Sequence, residues 1–249
     1  MARTLFSFWT WTVLGTLLLV SLPVLSLLLI VTWPFDKGRY LVGRTFRLVA
    51  VATVKANPLW HFRWTGPRPA DPRRPYVVVS NHESFADILL LSHLPWEMKW
   101  FSKAEIMRIP VLGWAMQLAG DIPIWRGKGE SARDAMNKSL EVLKKKVSVM
   151  IFPEGTRSPT GKMLPFKDGA FRLAIEAGVP VLPLVVTGTS DALAKHDWRM
   201  NPASATVTVL EPIETTGLTM NDVTKLKEQV REVIARARET LRPTPSAAG

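Results

Sequence analysis

The longest apolar run in the chain covers residues 5–35, which contain no charged side chain. About 20 apolar residues are enough to cross the hydrocarbon core of a bilayer. Trp9, Trp11 and Trp33 stand near the two ends of the run, where residues of the membrane interface are expected. The run is too long for the apolar part of a signal peptide, and no A-x-A cleavage site follows it. The pattern predicts a retained, membrane-binding helix, and Pro23 leaves open whether it spans or re-enters the bilayer.

Residues 36–64 interleave basic and apolar side chains in a pattern typical of an amphipathic helix. A basic helix of this kind tends to lie in the headgroup layer, although a helix packed on a globular domain shows the same pattern. Positive charge directly after the first segment favours a cytosolic location for the remainder of the chain. We therefore expect residues 1–64 to anchor the chain to the cell membrane, with the later residues on the cytoplasmic side.

The remaining residues alternate short apolar strands with amphipathic helices, after a linker rich in Pro and Arg at 65–75. The predicted strands are 76–80, 97–101, 121–125, 147–152, 181–187 and 205–210. The predicted helices are 85–93, 103–107, 111–118, 130–145, 168–177 and 221–241. This alternation predicts an α/β domain at residues 65–242, with a central mixed β-sheet flanked by helices. Residues 243–249 are expected to form a disordered tail.

The amino-acid composition limits the reactions and the partners that are possible. The 249 residues include no cysteine, which excludes disulfides, thiolate catalysis and cysteine-ligated metals. The four histidines lie far apart in the sequence, so we expect neither a metal site nor a cofactor. The formal net charge of +11 suits an anionic partner. Because the chain begins with an apolar helix, we expect that partner to be lipid and expect no nucleic acid.

The first candidate site is N-H-E-S-F-A-D at residues 81–87, between a predicted strand and a predicted helix. On one helix, a separation of five would put His82 and Asp87 on different faces. They can cooperate only if His82 lies in the loop and Asp87 in the first helical turn. Asp87 would then orient one ring nitrogen, and the other would accept a proton from a hydroxyl. Alternatively, Ser84 and Asp87 form a capping box with no catalytic role.

The second candidate site is F-P-E-G-T-R-S at residues 152–158, directly after a predicted buried strand. Gly155 would let the backbone approach a ligand closely, and Arg157 offers a planar fork that matches a phosphate. A turn with a solvated arginine is the alternative. By themselves, G-D-I-P-I-W-R at 120–126 and V-P-V-L-P-L at 179–184 indicate only a strand end and a core strand.

Taken in order, these four segments resemble the four blocks of the glycerolipid acyltransferase family. The resemblance covers about residues 60–215 and is strongest to the 1-acylglycerol-3-phosphate O-acyltransferases. It implies transfer of a fatty acyl group from acyl-CoA or acyl-carrier protein to the sn-2 hydroxyl of 1-acylglycerol-3-phosphate, which gives phosphatidic acid. The donor, the acyl chain length and the oligomeric state are not fixed by the motifs.

The resemblance also implies a role for nine residues of this sequence. They would be catalytic (His82, Asp87), phosphate-binding (Arg157, Arg126, Gly155, Thr156) or supporting (Asn81, Glu154, Lys103). A carboxylate repels phosphate, so Glu154 is expected to orient Arg157, a neighbouring lysine or the loop itself. Other functions stay open: transfer to another lysolipid such as lyso-ornithine lipid, hydrolysis of an acyl thioester, or lipid binding without catalysis.

Overall fold

The computed structural model describes residues 2–125, 129–158, 162–194 and 197–241. Its strands are β1 (Trp60–Thr65), β2 (Val77–Ser80), β3 (Met98–Lys103), β4 (Ile122–Ile124), β5 (Ser148–Ile151), β6 (Val181–Thr187) and β7 (Ala203–Val209). Its α-helices are α1 (Ala2–Thr32), α2 (Tyr40–Lys55), α3 (Ala86–Leu91), α4 (Leu112–Ala119), α5 (Gly129–Lys144), α6 (Gly169–Ala177), α7 (Thr189–Ala192) and α8 (Val223–Leu241). The predicted tail at 243–249 lies outside the described residues.

Within the described residues, one seven-stranded sheet has the order β1-β7-β6-β2-β5-β3-β4. The neighbours β6-β2-β5-β3-β4 are parallel, β6 and β7 are antiparallel, and β1 is parallel to β7. The predicted α/β class and mixed sheet are therefore confirmed. The central strands β2, β5 and β6 are buried along their whole length, which explains their continuous apolar sequences.

Helices cover both faces of the sheet. Val77 and Val79 of β2 point into a core formed with α5, α6 and α8, whereas Val78 points to the opposite face, against α3. Successive side chains of a strand point to opposite faces, so this short run supplies both cores. The sheet consequently lies between two apolar layers, and its carboxyl edge is left for the loops.

Two sequence-based predictions are wrong. Residues 60–65 are predicted as part of an amphipathic helix and a linker, but they form β1, which pairs with β7 from Trp60 to Thr65. The sheet therefore begins before the expected boundary at 64/65. Residues 103–107 are predicted as a helix, but Lys103 ends β3 opposite Ile124, and only a short 3-10 turn follows, at Ile106–Arg108. In both places, pairing with a strand that is distant in the sequence overrides the local helical pattern.

The apolar N-terminal helix is confirmed as α1, which includes Pro23. Among the described residues, one helical stretch, Arg3–Thr32, is long and apolar enough to cross a bilayer. One side of α1 is buried against α2 and α4 through Leu18 and Leu25. The opposite side is exposed and apolar, including Leu19, Val20, Val24, Leu27, Ile30 and Val31. An aqueous environment would not favour an exposed apolar face of this extent.

A buried ion cluster, consisting of Arg47, Glu97, Lys99 and Asp121, joins α2 to the sheet. Arg47 donates to both carboxylate oxygens of Asp121, and Lys99 Nζ lies 3.1 Å from Glu97 Oε1. Asp121 also accepts the backbone N–H of Trp100 at 3.0 Å. Burial raises the pKa of Glu97 and lowers that of Lys99, and in each case the opposite charge of the partner counters the effect. The two cations and two anions balance inside the protein.

Candidate active site

Two neighbouring parallel strands bring the two candidate loops together. β2 and β5 are paired, with Val79 opposite Ile151, so residues 81–87 and 152–158 leave the sheet side by side at its carboxyl edge. Ligands of open α/β sheets usually bind at this edge. The structure thus unites two motifs that lie about 70 residues apart in the sequence.

His82 lies in the loop after β2, and Asp87 lies in the first turn of α3, as their spacing requires. The distance between His82 Nδ1 and Asp87 Oδ2 is 2.7 Å. A carboxylate can only accept, so Nδ1 carries the shared proton and Nε2 is left as the basic nitrogen. The ring of His82 stacks on Phe152 at 4.0 Å between centroids, while 15% of the side chain is exposed. The base is therefore oriented and still accessible.

Asp87 is completely buried and saturated with donors. Its Oδ2 accepts the backbone N–H groups of Glu83, at 2.8 Å, and Ser84, at 3.1 Å. Its Oδ1 accepts the hydroxyl of Thr189. Half of the capping box is thus present, but the hydroxyl of Ser84 accepts the N–H of Ala86 rather than that of Asp87, and it donates to the carbonyl of Leu193. Capping and orientation of His82 are functions of the same carboxylate.

Glu154 joins the two loops. Its Oε1 accepts the backbone N–H of His82 and its Oε2 that of Leu164, both at 2.8 Å. Burial raises the pKa of this carboxyl, and the two N–H donors oppose that rise. The sequence predicted that Glu154 orients Arg157, a neighbouring lysine or the loop. In the structure it binds the backbone of the loop. Glu154 also fixes the main chain of His82, which the sequence did not indicate.

Asn81 and Gly155 shape the main chain of the two loops. The side-chain amide of Asn81 donates to the carbonyl of Val186, and its carbonyl oxygen accepts the N–H of Val186. This pair extends the ladder between β2 and β6 by one side chain. Gly155 has a φ of 71°, and an added Cβ would lie 2.9 Å from Nζ of Lys167. The lysine end can move, so it is the positive φ that favours glycine at this position.

Two of the cationic candidates, Arg157 and Lys103, lie at the carboxyl ends of neighbouring strands. Arg157 is partly exposed in the loop after β5, next to the exposed Thr156. Lys103 is half-exposed at the end of β3, with its ammonium 3.5 Å from the carboxylate of Glu105. Arg126 lies outside the described residues. Among the described residues, no group of three or more His, Asp or Glu side chains is arranged to hold a metal ion.

Two contacts to the site come from distant parts of the chain and were not predicted. Thr189 begins α7 and reaches Asp87. Arg238 of α8 donates to Glu83 Oε1 at 2.6 Å, and only 11% and 8% of these two side chains are exposed. The sequence marks neither residue, because the partners lie 102 and 155 positions apart. For Thr189, the preceding Gly188 at a strand end was the only local signal.

An apolar cavity of about 590 Å³ opens beside the His82 loop, between α1, α2, α3 and the 106–112 segment. Phe85 and Ile88, which come soon after His82 in the chain, line one side of it. Trp11, Leu14 and Leu18 of α1 also line it. The cavity is large enough for a flexible hydrocarbon ligand and offers it almost entirely apolar walls.

Comparison with known proteins gives a consistent result. A family model described as Acyltransferase matches residues 61–187. The 1-acyl-sn-glycerol-3-phosphate acyltransferase of Saccharomyces cerevisiae is 38% identical over 164 residues, which cover 64% of this chain and 54% of that protein. The alpha form from Homo sapiens is 41% identical over 162 residues, which cover 64% and 57%. The chain spans about half the length of the curated relatives that it matches.

A solved structure is similar over nearly the whole chain. It is the crystal structure of the 1-acyl-sn-glycerophosphate (LPA) acyltransferase PlsC from Thermotoga maritima. The TM-score is 0.80 at 25% sequence identity, and the match covers 99% of this chain and 98% of that one. The similarity includes the N-terminal helices, which lie outside the matched family model.

Proposed function

This chain belongs to the Acyltransferase family, and from that premise we propose that it transfers a fatty acyl group to the sn-2 hydroxyl of 1-acylglycerol-3-phosphate. The product is phosphatidic acid, and the donor is the thioester of acyl-CoA or acyl-carrier protein. The proposal is carried by one observation, the contact of 2.7 Å between His82 and the fully buried Asp87. The names of the relatives support the choice of acceptor.

The proposed reaction needs only the base and its orienting carboxylate. Nε2 of His82 removes the proton of the sn-2 hydroxyl while that oxygen attacks the thioester carbonyl. Asp87 stabilises the imidazolium that forms. The tetrahedral intermediate then collapses, the C–S bond breaks, and the imidazolium returns its proton to the departing thiolate. Because the chain has no cysteine, this direct attack needs no thiol acyl-enzyme.

The acyl chain and the phosphate would occupy different parts of the site. The apolar cavity beside Phe85 suits a hydrocarbon chain. The loop with Arg157 carries the cationic fork that would bind the acceptor phosphate, together with the backbone at Gly155 and Thr156. By the family pattern, Arg126 would also hold the acceptor phosphate, and Lys103 would support the site. Asn81 and Glu154 would hold the main chain of the two loops through the hydrogen bonds described above.

Arg157→Ala is expected to raise KM for the lysophospholipid about 10- to 100-fold, because one charge-assisted contact to phosphate is lost. kcat should change less, since the phosphate is bound equally in the ground and transition states. Arg157→Lys should recover part of the affinity but not the two-point contact. The matched control is Arg236→Ala, which removes an exposed arginine from α8. Equal KM for Arg157→Ala and the control would exclude this role.

The membrane attachment that we propose follows from the way in which α1 is tied to the domain. At its N-terminal end, Arg3 pairs with Asp197 at 2.9 Å, and Trp11 Nε1 donates to the carbonyl of Trp198. Towards the other end, Leu25, Leu28 and Leu29 belong to an apolar cluster that α1 shares with α2 and α4. A helix held at both ends against one domain cannot place them on opposite sides of a bilayer. We therefore favour α1 lying within one leaflet, with its exposed apolar face in the lipid.

The natural absence of cysteine allows a direct test of this attachment. Thr4→Cys and Lys37→Cys place single thiols near the two ends of α1, and Arg236→Cys provides an exposed control on α8. In sealed vesicles, an impermeant maleimide added on the side that labels the control should label both ends of α1. Labelling of one end only would mean that α1 spans the bilayer. The same experiment in oriented cell membranes would test the expected cytoplasmic side.

The function itself is tested with membranes that contain the full chain, lysophosphatidic acid and labelled oleoyl-CoA or oleoyl-acyl-carrier protein. Labelled phosphatidic acid is the expected product. Acylation of lyso-ornithine lipid but not of lysophosphatidic acid would show that the proposed acceptor is wrong. Release of free fatty acid alone would show that the protein is a hydrolase. Lipid binding with no acyl product from any donor would leave a non-catalytic module.

A further inference from the structure

The carboxylate of Asp87 has a hydrogen-bond partner on the side that His82 does not use. Oδ2 is shared by His82 and two backbone N–H groups, whereas Oδ1 accepts the hydroxyl of Thr189. Both Asp87 and Thr189 are completely buried. Water is therefore excluded from this contact, and its strength and direction are set by the protein alone.

A glycine turn places Thr189 at this carboxylate. β6 ends at Thr187, and Gly188 turns the chain with a φ of 85°. A Cβ at Gly188 would lie 2.2 Å from the carbonyl oxygen of Ser204 on the neighbouring strand, so no other residue fits. Four residues after Thr189, the carbonyl of Leu193 accepts the hydroxyl of Ser84 at 2.7 Å. The segment after β6 thus holds the His82 loop at two separate points.

We propose that Thr189 is a positioning residue, which sets the basicity of His82 through Asp87. The hydroxyl takes up part of the negative charge of the carboxylate, so Asp87 stabilises the imidazolium of His82 less strongly than a freer carboxylate would. It also keeps the carboxylate rotated so that Oδ2 faces Nδ1. The contact therefore fixes both the orientation and the basicity of the proposed base.

The other charged groups near the pair would stay the same when Thr189 is changed. Glu154 approaches His82 from the loop after β5, through the backbone N–H. Glu83 is adjacent in the chain and is paired with Arg238 of α8. Asp191 lies on α7 itself but is exposed. A change in His82 that accompanies the loss of the Thr189 hydroxyl can therefore be assigned to the hydroxyl.

The test compares Thr189→Val, which keeps the shape and removes the donor, with Thr189→Ser, which keeps the donor. Thr187→Val is the matched control, because Thr187 lies two residues earlier and contacts Thr206 instead. The pKa of His82 is measured by NMR titration of the full chain in detergent micelles, with His82→Ala to assign its signal. Thr189→Val should move the pKa of His82 upward, and the other two variants should leave it unchanged. An unchanged pKa in Thr189→Val would overturn the proposal.

The activity readout rests on the proposed acyl transfer, whereas the titration does not. In Thr189→Val, kcat should fall about tenfold with little change in KM. The acid limb of the pH profile should move to higher pH by the same shift as the pKa, because neutral His82 is the active form. Thr189→Ser should keep kcat and the acid limb of the pH profile near those of the wild type. If the wild type transfers no acyl group, the proposed function fails, and the titration still decides the role of Thr189.

Discussion

Replacing His82 by alanine is expected to lower the rate of acyl transfer by about 10²–10⁴-fold, the usual contribution of a positioned general base. Nδ1 of His82 contacts the buried carboxylate of Asp87, which leaves Nε2 to accept the proton of the hydroxyl. Affinity for the lysophospholipid should stay near that of the wild type, since no phosphate contact is removed. The measurement is the initial rate of phosphatidic acid formation, together with binding of the lysophospholipid.

A matched control separates this effect from a general loss of a histidine. His61 is exposed on β1, away from the two loops, so His61→Ala should keep the wild-type rate. Asp87→Asn should also be impaired, because it keeps the size of the side chain but cannot stabilise the imidazolium by charge. Full activity of His82→Ala would show that the proposed mechanism is wrong, even if the reaction itself is correct.

Asp121→Ala is expected to lower the free energy of unfolding by about 3–5 kcal/mol, the typical cost of leaving a buried charge without its partner. Arg47 would lose the carboxylate to which both of its terminal nitrogens donate. The N–H of Trp100 would lose its acceptor as well. Urea unfolding in detergent micelles, monitored by tryptophan fluorescence, measures the loss.

A double variant tests whether the cost comes from the unpaired charge. Arg47→Met with Asp121→Leu removes one cation and one anion, and leaves Glu97 paired with Lys99. Replacing both members of a buried pair by apolar side chains is often neutral or stabilising. The double variant should therefore be more stable than Asp121→Ala. A double variant at least as unstable as the single one would contradict the ion-pair explanation.

The buried contacts of Asp121 also bear on the G-D-I-P-I-W-R segment, which resembles a family block. Within the described residues, its aspartate serves the attachment of α2 to the sheet rather than the reaction. A motif can thus contain a structural residue next to an expected ligand-binding one, here Arg126. Sequence resemblance does not separate the two, whereas the buried partners of Asp121 do.

How much the sequence could predict depended on whether the signal was local. The central strands were recognisable because buried parallel strands are apolar throughout. The His82–Asp87 contact could be stated only as a condition, because a separation of five requires His82 in the loop and Asp87 in the first helical turn. β1 was missed because its alternating pattern is short and its partner β7 lies about 140 residues away. The hydrogen bond from His82 to Glu154 and the contacts of Thr189 and Arg238 also join distant residues. No local pattern records them.

The pairing of β1 with β7 also has a consequence for how the chain is made. β1 comes directly after the two N-terminal helices and is synthesised early, but its hydrogen-bond partner forms only when Ala203–Val209 has emerged. Likewise, Glu83 receives Arg238 only after α8 has been made. If α1 binds lipid as proposed, it can do so during synthesis, well before the His82 loop is held by its distant partners. We expect the nascent chain to reach the membrane first and to acquire its reactive site only near the end of translation.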